Sequence, residues 1–206
     1  MSDKIPSPGA VDFQKLMDRR LDAKSPADVA AIDAEIRAKF ERRMGVMITD
    51  MSGMTELTKT QGILAILALV RRMQRISEPV LAQHGGVLVK TEADDLFVVH
   101  DSAKSLYAIA FGLLAAAKKH NESVGANELS ICIGLGFGSV LFLGGEIWGD
   151  AVNTASKLGE DTAGGGEVLV TEEFHAALLA EGFTPKASLI PESHRKAKFP
   201  YYSCTG

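Results

Sequence analysis

Short apolar runs alternate with amphipathic helical patterns from Met44 onward, and this alternation limits the folds open to the chain more than any other feature. The apolar run from Met44 to Thr49 predicts a strand that ends at Asp50. The helical pattern after it extends from about Thr55 to Gln83, and Pro79 should kink this helix or divide its end. A strand followed by a long helix is a typical opening of a domain in which helices cover a sheet.

The rest of the chain continues the alternation. Val87 to Lys90 and Leu96 to Val99 predict a hairpin, because a short and mostly polar segment separates two apolar runs. A helix from Ser102 to about Asn121 follows, and a glycine-rich bend then separates the strands Leu129 to Gly134 and Ser139 to Leu143. The last predicted elements are the helices Ala151 to Gly159 and Glu172 to Ala180 and the strands Glu167 to Val170 and Phe199 to Ser203. This order predicts an α+β fold with a ferredoxin-like βαββαβ core, additional strands and helices, and a preceding N-terminal helical segment.

Composition and charge exclude several classes of protein. The chain has 206 residues, of which 46% are hydrophobic, so it is too apolar to remain disordered. Its net charge of −4 lacks the basic surplus expected of a nucleic-acid binder, and no nucleic-acid partner is expected. Cys132 and Cys204 cannot form a disulfide framework. Neither a secretory signal nor a membrane segment is visible, so a cytoplasmic location is expected.

The first 42 residues form a separate N-terminal helical segment in this interpretation, and residues 43–206 form the main domain. Ser25 is a good helix cap and Pro26 suits a first helical turn. An apolar stripe at helical spacing follows, made of Val29, Ile32, Ile36 and Phe40. Such a stripe needs a partner surface, which is either the main domain or a second copy of the chain.

Carboxylates stand at the ends of predicted strands. Asp50 closes the first strand, and Asp94 and Asp95 lie in the hairpin turn. Adjacent central strands would bring Asp50 and Asp94 to the same end of the sheet. Two carboxylates without a histidine suit Mg²⁺ or Mn²⁺, the ions of phosphoryl transfer. The alternative is that these residues only form turns and helix caps.

Two further segments call for opposite interpretations. The glycines between Gly134 and Gly138 do not form a dinucleotide-binding loop, because a strand pattern follows them where a helix is required. Asn153 and Lys157 are one helical turn apart and project from one face. They suit contacts to a sugar and a phosphate, or they belong to an ordinary solvated helix face.

Together these pieces resemble the catalytic domain of class III nucleotidyl cyclases, the adenylate and guanylate cyclase family. The resemblance spans about Arg43 to the C-terminus and rests on four motifs in the family's order. They are Val46 to Thr55, with Asp50 and Met51 followed by Ser52-Gly53-Met54-Thr55; Gly85-Gly86 with Lys90 to Asp94; Ile133 to Gly138; and Trp148-Gly149 with Val152 to Ser156.

The resemblance implies a role for each matching residue. Asp50 and Asp94, with the Met51 carbonyl, would hold two Mg²⁺ or Mn²⁺ ions, and Asn153 and Lys157 would act on the ribose and the transition state. Lys198 is expected to grip the terminal phosphates, with Arg195 and Lys196 as alternatives. Lys90 and Glu146 would contact the base. The triphosphate would lie against the start of the helix that follows Asp50, at Ser52, Gly53, Met54 and Thr55.

The resemblance also implies the reaction and its setting. The ribose 3′-oxygen of a nucleoside triphosphate would attack the α-phosphate in line, releasing pyrophosphate, in sites shared across a homodimer. ATP is favoured over GTP because Lys90 pairs with a carboxylate residue, Glu146. The chain departs from the family in having Lys157 for an Arg, Ala93 for a Gly and an extra Asp95, which could compete for the metal. The alternatives are a degenerate module that binds nucleotide or a partner without turnover, and, less favoured, a relative of diguanylate cyclases or polymerase palms.

Overall fold

A computed structural model describes residues 10–143 and 145–206 of the chain. Within these residues, alternating and fully apolar segments form the strands, and their bounds fix where each polar strand end lies. The strands are β1 (Glu41–Met51), β2 (Val87–Glu92), β3 (Asp95–His100), β4 (Ile131–Leu143), β5 (Glu146–Trp148), β6 (Val168–Thr171), β7 (Lys186–Leu189) and β8 (Tyr201–Thr205).

The helices occupy the segments with helical periodicity between these strands. A 3₁₀ turn covers Glu192–His194. The helices are α1 (Ala10–Asp22), α2 (Pro26–Phe40), α3 (Met54–Gln61), α4 (Ile63–His84), α5 (Ala103–Val124), α6 (Asp150–Gly159) and α7 (Glu172–Ala180). Among the residues that the structure describes, no helix combines the length and the apolar character needed to cross a membrane.

The strands form one mixed sheet in the order β2-β3-β1-β4-β6-β8-β7, with β5 paired to β4. Each neighbouring pair among the first four strands is antiparallel, whereas β6 runs parallel to β4. The element order β1-α4-β2-β3-α5-β4 with the strand order 4-1-3-2 is the ferredoxin-like plan, and the predicted fold class is confirmed.

Both faces of the sheet are covered, which explains why β1 is apolar and buried from Met44 to Ile48. Met47 and Met51 of β1 face the cluster that α4 and α5 bury. Met44, Val46 and Ile48 face the opposite cluster, which contains the inner side of α6. Successive strand residues point to opposite faces, so Asp50 follows Ile48 on the α6 side of the sheet.

Two predicted boundaries were wrong. The helix expected from about Thr55 to Gln83 is two helices, because Gly62 takes a left-handed φ of 82° between α3 and α4, while α4 continues through Pro79. The strands expected on either side of a glycine-rich bend are one continuous strand, β4. β5, β7 and α1 were not predicted.

The glycines of β4 serve close packing against α6. Gly134, Gly136 and Gly138 alternate along the strand and therefore share one face. A Cβ on Gly134 would lie 2.1 Å from the Ala155 carbonyl oxygen, and one on Gly136 would lie 2.4 Å from the Ala151 carbonyl oxygen. The backbone of α6 thus rests on bare strand backbone, which fixes the height of the helix above the sheet.

Replacing Gly134 by Ala is expected to destabilise the fold by about 1–3 kcal/mol, because the backbone of α6 must move to admit the methyl group. Gly138→Ala is the matched control, since its Cβ would meet only the Ala151 side chain at 3.3 Å. Urea denaturation should give a clearly larger loss in free energy of unfolding for G134A than for G138A. Equal losses would contradict the packing argument.

The N-terminal helices cover each other and one end of the sheet. The predicted start of α2 is confirmed, since Ser25 Oγ accepts a hydrogen bond from the Asp28 backbone N–H at 3.1 Å. Ile32, Ile36 and Phe40 are buried together with Leu16 of α1, and Leu141 and Leu143 of β4 pack against them. The apolar stripe is therefore covered within one chain, which favours docking on the main domain over a helix reserved for dimerisation.

Candidate active site

Three carboxylates converge where β1 ends and β2 turns into β3. Asp50, Asp94 and Asp95 each place one oxygen within 4.8 Å of the others. The register explains this: Thr49 pairs with Leu96, so Asp50 stands opposite Asp95 one step further on. The expected approach of Asp50 and Asp94 is found, and Asp95, expected only as a competitor, belongs to the same cluster.

The cluster carries uncompensated negative charge. Burial and the neighbouring Asp94 raise the pKa of Asp50 above its ordinary value. Burial, followed by the charges of Glu160, Asp94 and Asp50, raises the pKa of Asp95 to about 7. Like charges on directly opposed strand positions destabilise a sheet. Carboxylate oxygens in a half-buried group are suitable ligands for a divalent cation, so the donor set fits Mg²⁺ or Mn²⁺.

The turn that carries Asp94 is tight. Glu92 pairs with Asp95, which leaves Ala93 and Asp94 as the two turn residues. Ala93 takes a φ of 51°, a left-handed conformation that costs a residue with a Cβ about 1–2 kcal/mol. The turn therefore keeps its shape with Ala in place of the Gly of the family motif, and Asp94 stays in the register expected from the sequence.

The segment after Asp50 opens a helix whose first N–H groups lack helical partners. Gly53 has a φ of 86° and stands at the N-cap of α3, where no side chain caps the helix. These donors, around Met54 and Thr55, suit an anion. The Ser52 N–H is different, because it donates to the Ser130 carbonyl oxygen at 2.9 Å. The Ser52 hydroxyl also donates to the Ser130 hydroxyl at 2.9 Å, so Ser52 anchors the loop to the residue just before β4.

Lys90 and Glu146, the two base contacts that the family resemblance implies, form an ion pair. Lys90 Nζ lies 2.8 Å from Glu146 Oε2, although the two residues come from β2 and β5. A second carboxylate, Glu92, lies 2.9 Å from the same nitrogen. These two acceptors raise the pKa of Lys90 above its ordinary value. The ammonium also lies 4.7 Å from the centroid of the Phe97 ring.

Asn153 and Lys157 lie on the exposed side of α6, away from the sheet. Lys157 Nζ pairs with Asp161 at 2.8 Å. Within the part of the chain described, no hydrogen bond or ion pair joins either residue to Asp50, Asp94 or Asp95. Their shared helix face is as expected from the spacing, and it presents an amide and a cation outward.

The three candidate phosphate-binding cations differ in their surroundings. Lys196 Nζ donates to the Thr162 carbonyl oxygen at 3.0 Å, just beyond the end of α6. Arg195 Nε donates to the Ile190 carbonyl oxygen at 2.9 Å. Lys198 is exposed and makes no hydrogen bond among the described residues. The geometry thus places Lys196 beside the segment that follows the helix of Lys157.

The two buried thiols, Cys132 and Cys204, are unsuited to act as nucleophiles. Cys132 pairs with Asp50 in the β1–β4 ladder, and burial raises its pKa to about 11. Burial raises the pKa of Cys204 to about 11 as well. Both thiols are therefore protonated and inert near neutral pH.

The chain belongs to the adenylate and guanylate cyclase catalytic domain family, which matches residues 36–190. An adenylate cyclase of Streptomyces coelicolor is 33% identical over 140 residues, which is 68% of this chain and 35% of that protein. An adenylate cyclase of Streptomyces griseus is 30% identical over 169 residues, which is 82% of this chain and 40% of that protein. The chain thus spans well under half the length of these relatives.

Solved structures share the fold. An adenylate/guanylate cyclase/hydrolase from Silicibacter pomeroyi superposes with a TM-score of 0.65 at 23% identity, covering 81% of this chain and 98% of that one. The catalytic core of a rhodopsin-guanylyl cyclase with converted specificity, in complex with ATPαS, superposes with a TM-score of 0.68 at 19% identity. This match covers 81% of this chain and 97% of that one. These superpositions confirm the predicted fold, and the family match confirms the predicted family.

Sequence reasoning missed two features of the site. Glu92 received no role, although its position two residues after Lys90 on one strand places both side chains on the same face. The anchoring of Ser52 by Ser130 had no signal in the sequence, because the two residues are 78 positions apart. Only the pairing of β1 with β4 brings them together.

Proposed function

We propose that the chain is the catalytic part of an adenylate cyclase that converts ATP to 3′,5′-cyclic AMP and pyrophosphate. The observation that carries this proposal is the Lys90–Glu146 pair, which lies on the same domain as the three-carboxylate cluster. A lysine donor beside a carboxylate acceptor matches the ring nitrogen and the exocyclic amine of adenine. Membership of the cyclase family and the adenylate cyclases among its relatives support the proposal.

The acidic cluster is the proposed site of two Mg²⁺ or Mn²⁺ ions. Asp50 and Asp94 would hold them with the Met51 carbonyl, and we include Asp95 as a third carboxylate because it lies within the same 4.8 Å group. Bound divalent ions would supply Lewis-acid activation and neutralise the charge of the phosphates. The chain itself supplies the fixed positions of the carboxylates at the ends of two paired strands.

The remaining side chains bind and orient the nucleotide. The free N–H groups at the start of α3 would receive the triphosphate, with Lys196 or Lys198 at its terminal phosphates. Asn153 would orient the ribose, and Lys157 would neutralise charge that develops at the α-phosphate. Because catalysis of this kind depends on positioning and charge, no covalent step by the protein is required.

We propose that the complete site forms between two copies of the chain. Asn153 and Lys157 face outward from α6 and do not contact the aspartates of their own chain, which supports a partner that completes the site. The first turns of α4 expose the large apolar side chains of Ile63, Leu64 and Leu67, and Leu64 is 78% exposed. Apolar side chains that are exposed together in this way suit an interface.

Product analysis tests the proposal directly. Purified protein incubated with ATP, GTP, CTP or UTP and excess Mn²⁺ is expected to yield cyclic AMP from ATP as the main product. Cyclic GMP as the main product would overturn the proposed base preference and leave the reaction class intact. Absence of any cyclic nucleotide over a wide range of protein concentrations would favour a module that binds nucleotide or a partner without turnover.

A further inference from the structure

The surroundings of Lys90 go beyond a simple lysine–carboxylate pair. An ammonium group has three N–H donors. Two of them are directed to carboxylates, at 2.9 Å from Glu92 and 2.8 Å from Glu146. One donor therefore remains for an acceptor on a ligand.

The backbone brings these groups together for identifiable reasons. The β2–β3 register shifts between Leu88 and Lys90, and such a bulge re-aims the side chains that follow it. After the shift, Lys90 is the direct cross-strand partner of Phe97, which explains why the ammonium lies over that ring. Glu92, two positions along, shares the face of Lys90, while β5 brings Glu146 from the other side.

The two carboxylates differ in what else they can contact. Glu146 precedes Trp148 and Gly149 and lies on the segment that leads to Asn153, so it is placed to contact both the base and Lys90. Glu92 precedes the turn that carries Asp94, and its side chain is 65% exposed, against 26% for Lys90. Its hydrogen-bond partner among the described residues is Lys90.

We propose that Glu92 is a positioning residue that holds the Lys90 ammonium between two carboxylates, so that its remaining donor points in one direction toward the nucleotide base. This inference rests on the proposed function, in which Lys90 contacts the base. A long, flexible lysine side chain held by one partner samples several orientations, whereas two acceptors and an aromatic ring restrict it. Glu92 thereby contributes to base discrimination without contacting the reacting atoms.

The test compares Glu92→Ala and Glu92→Gln with the unchanged protein. E92A is expected to raise the KM for ATP about threefold, in keeping with the modest strength of an exposed ion pair, and to leave kcat within about twofold. The preference for ATP over GTP should fall by a similar factor. E92Q, whose amide oxygen still accepts a hydrogen bond, is expected to retain part of the preference.

Two controls separate positioning from a general effect. Glu78→Ala removes another exposed glutamate, which pairs with Arg71 at 3.6 Å on α4, and is expected to change neither KM nor base preference. In a Lys90→Ala background, E92A should have no further effect, because a positioning residue acts through its partner. Binding of 3′-deoxy-ATP and 3′-deoxy-GTP, measured by calorimetry, reports the same differences without turnover.

The outcomes distinguish this inference from the proposed function. If the unchanged protein makes cyclic AMP but E92A keeps the full ATP preference, or if E92A acts equally in the K90A background, the role of Glu92 is overturned and the cyclase activity stands. If the unchanged protein makes no cyclic nucleotide and binds neither deoxynucleotide, the proposed function fails first.

Discussion

Asp50→Asn is expected to lower the rate of cyclic AMP formation at least about 100-fold, which corresponds to about 2.7 kcal/mol of transition-state stabilisation. The amide keeps the size of the side chain but removes the charge that would attract a divalent cation at the end of β1. Activity is measured with saturating ATP and Mn²⁺. A variant that retains more than a tenth of the rate would contradict the assignment of Asp50 to the metal site.

A thermal-unfolding measurement shows whether the loss reflects the metal or the fold. Mn²⁺ should raise the Tm of the unchanged protein, because a ligand that binds only the folded state stabilises it, and should not raise the Tm of D50N. Without metal, D50N should be at least as stable as the unchanged protein, since burial and Asp94 disfavour the charged form of Asp50. Asp18→Asn, an exposed aspartate of α1, is the matched control and should behave like the unchanged protein in both assays.

Mixing two inactive variants is expected to restore activity if the sites are shared between copies. D50N lacks a proposed metal ligand, and Asn153→Ala lacks the proposed ribose contact. A mixed dimer then has one site with both defects and one intact site. Random exchange of equal amounts makes half of the dimers mixed, so about one quarter of the full activity should return.

The control for this experiment mixes D50N with Asp94→Asn. Both changes lie in the same acidic cluster, so every site in the mixed dimer keeps one damaged carboxylate and no activity should return. Recovery with N153A but not with D94N supports the shared site. A lack of recovery in both mixtures, when light scattering confirms dimers, would place the whole site within one chain.

The sequence predicted the elements whose side chains follow one clear period. The hairpin of β2 and β3, α5 and the stripe of α2 were found because apolar residues recur at the spacing of a strand or a helix. The division at Gly62 was missed because the pattern continues on both sides of it, and only the positive φ of that glycine breaks the helix. α1 was missed although Phe13, Leu16 and Met17 have helical spacing, because they are few among many polar residues.

The candidate site was predictable where a motif fixed a residue to a strand end. Asp50 and Asp94 lie close together, as the motifs indicated, because the pairing of β1 with β3 brings those strand ends together. Lys90 and Glu146 also lie close together, although β5, which carries Glu146, was not predicted. Which of several possible partners a long side chain contacts was not predictable. Spacing along the chain predicts neither the ion pair of Lys90 with Glu92 nor the hydrogen bond from Lys196 to the carbonyl oxygen of Thr162, just after α6.

The bare glycine face of β4 has a consequence for control of the proposed activity. Because α6 rests directly on strand backbone, it cannot come closer to the sheet without a clash of main-chain atoms, so the glycines set the height of Asn153 and Lys157 above the strand that pairs with β1. In the proposed two-copy site, a signal would then change the rate by changing how the two copies meet. The N-terminal helices, which pack against Leu141 and Leu143 of β4, are suitably placed to receive such a signal.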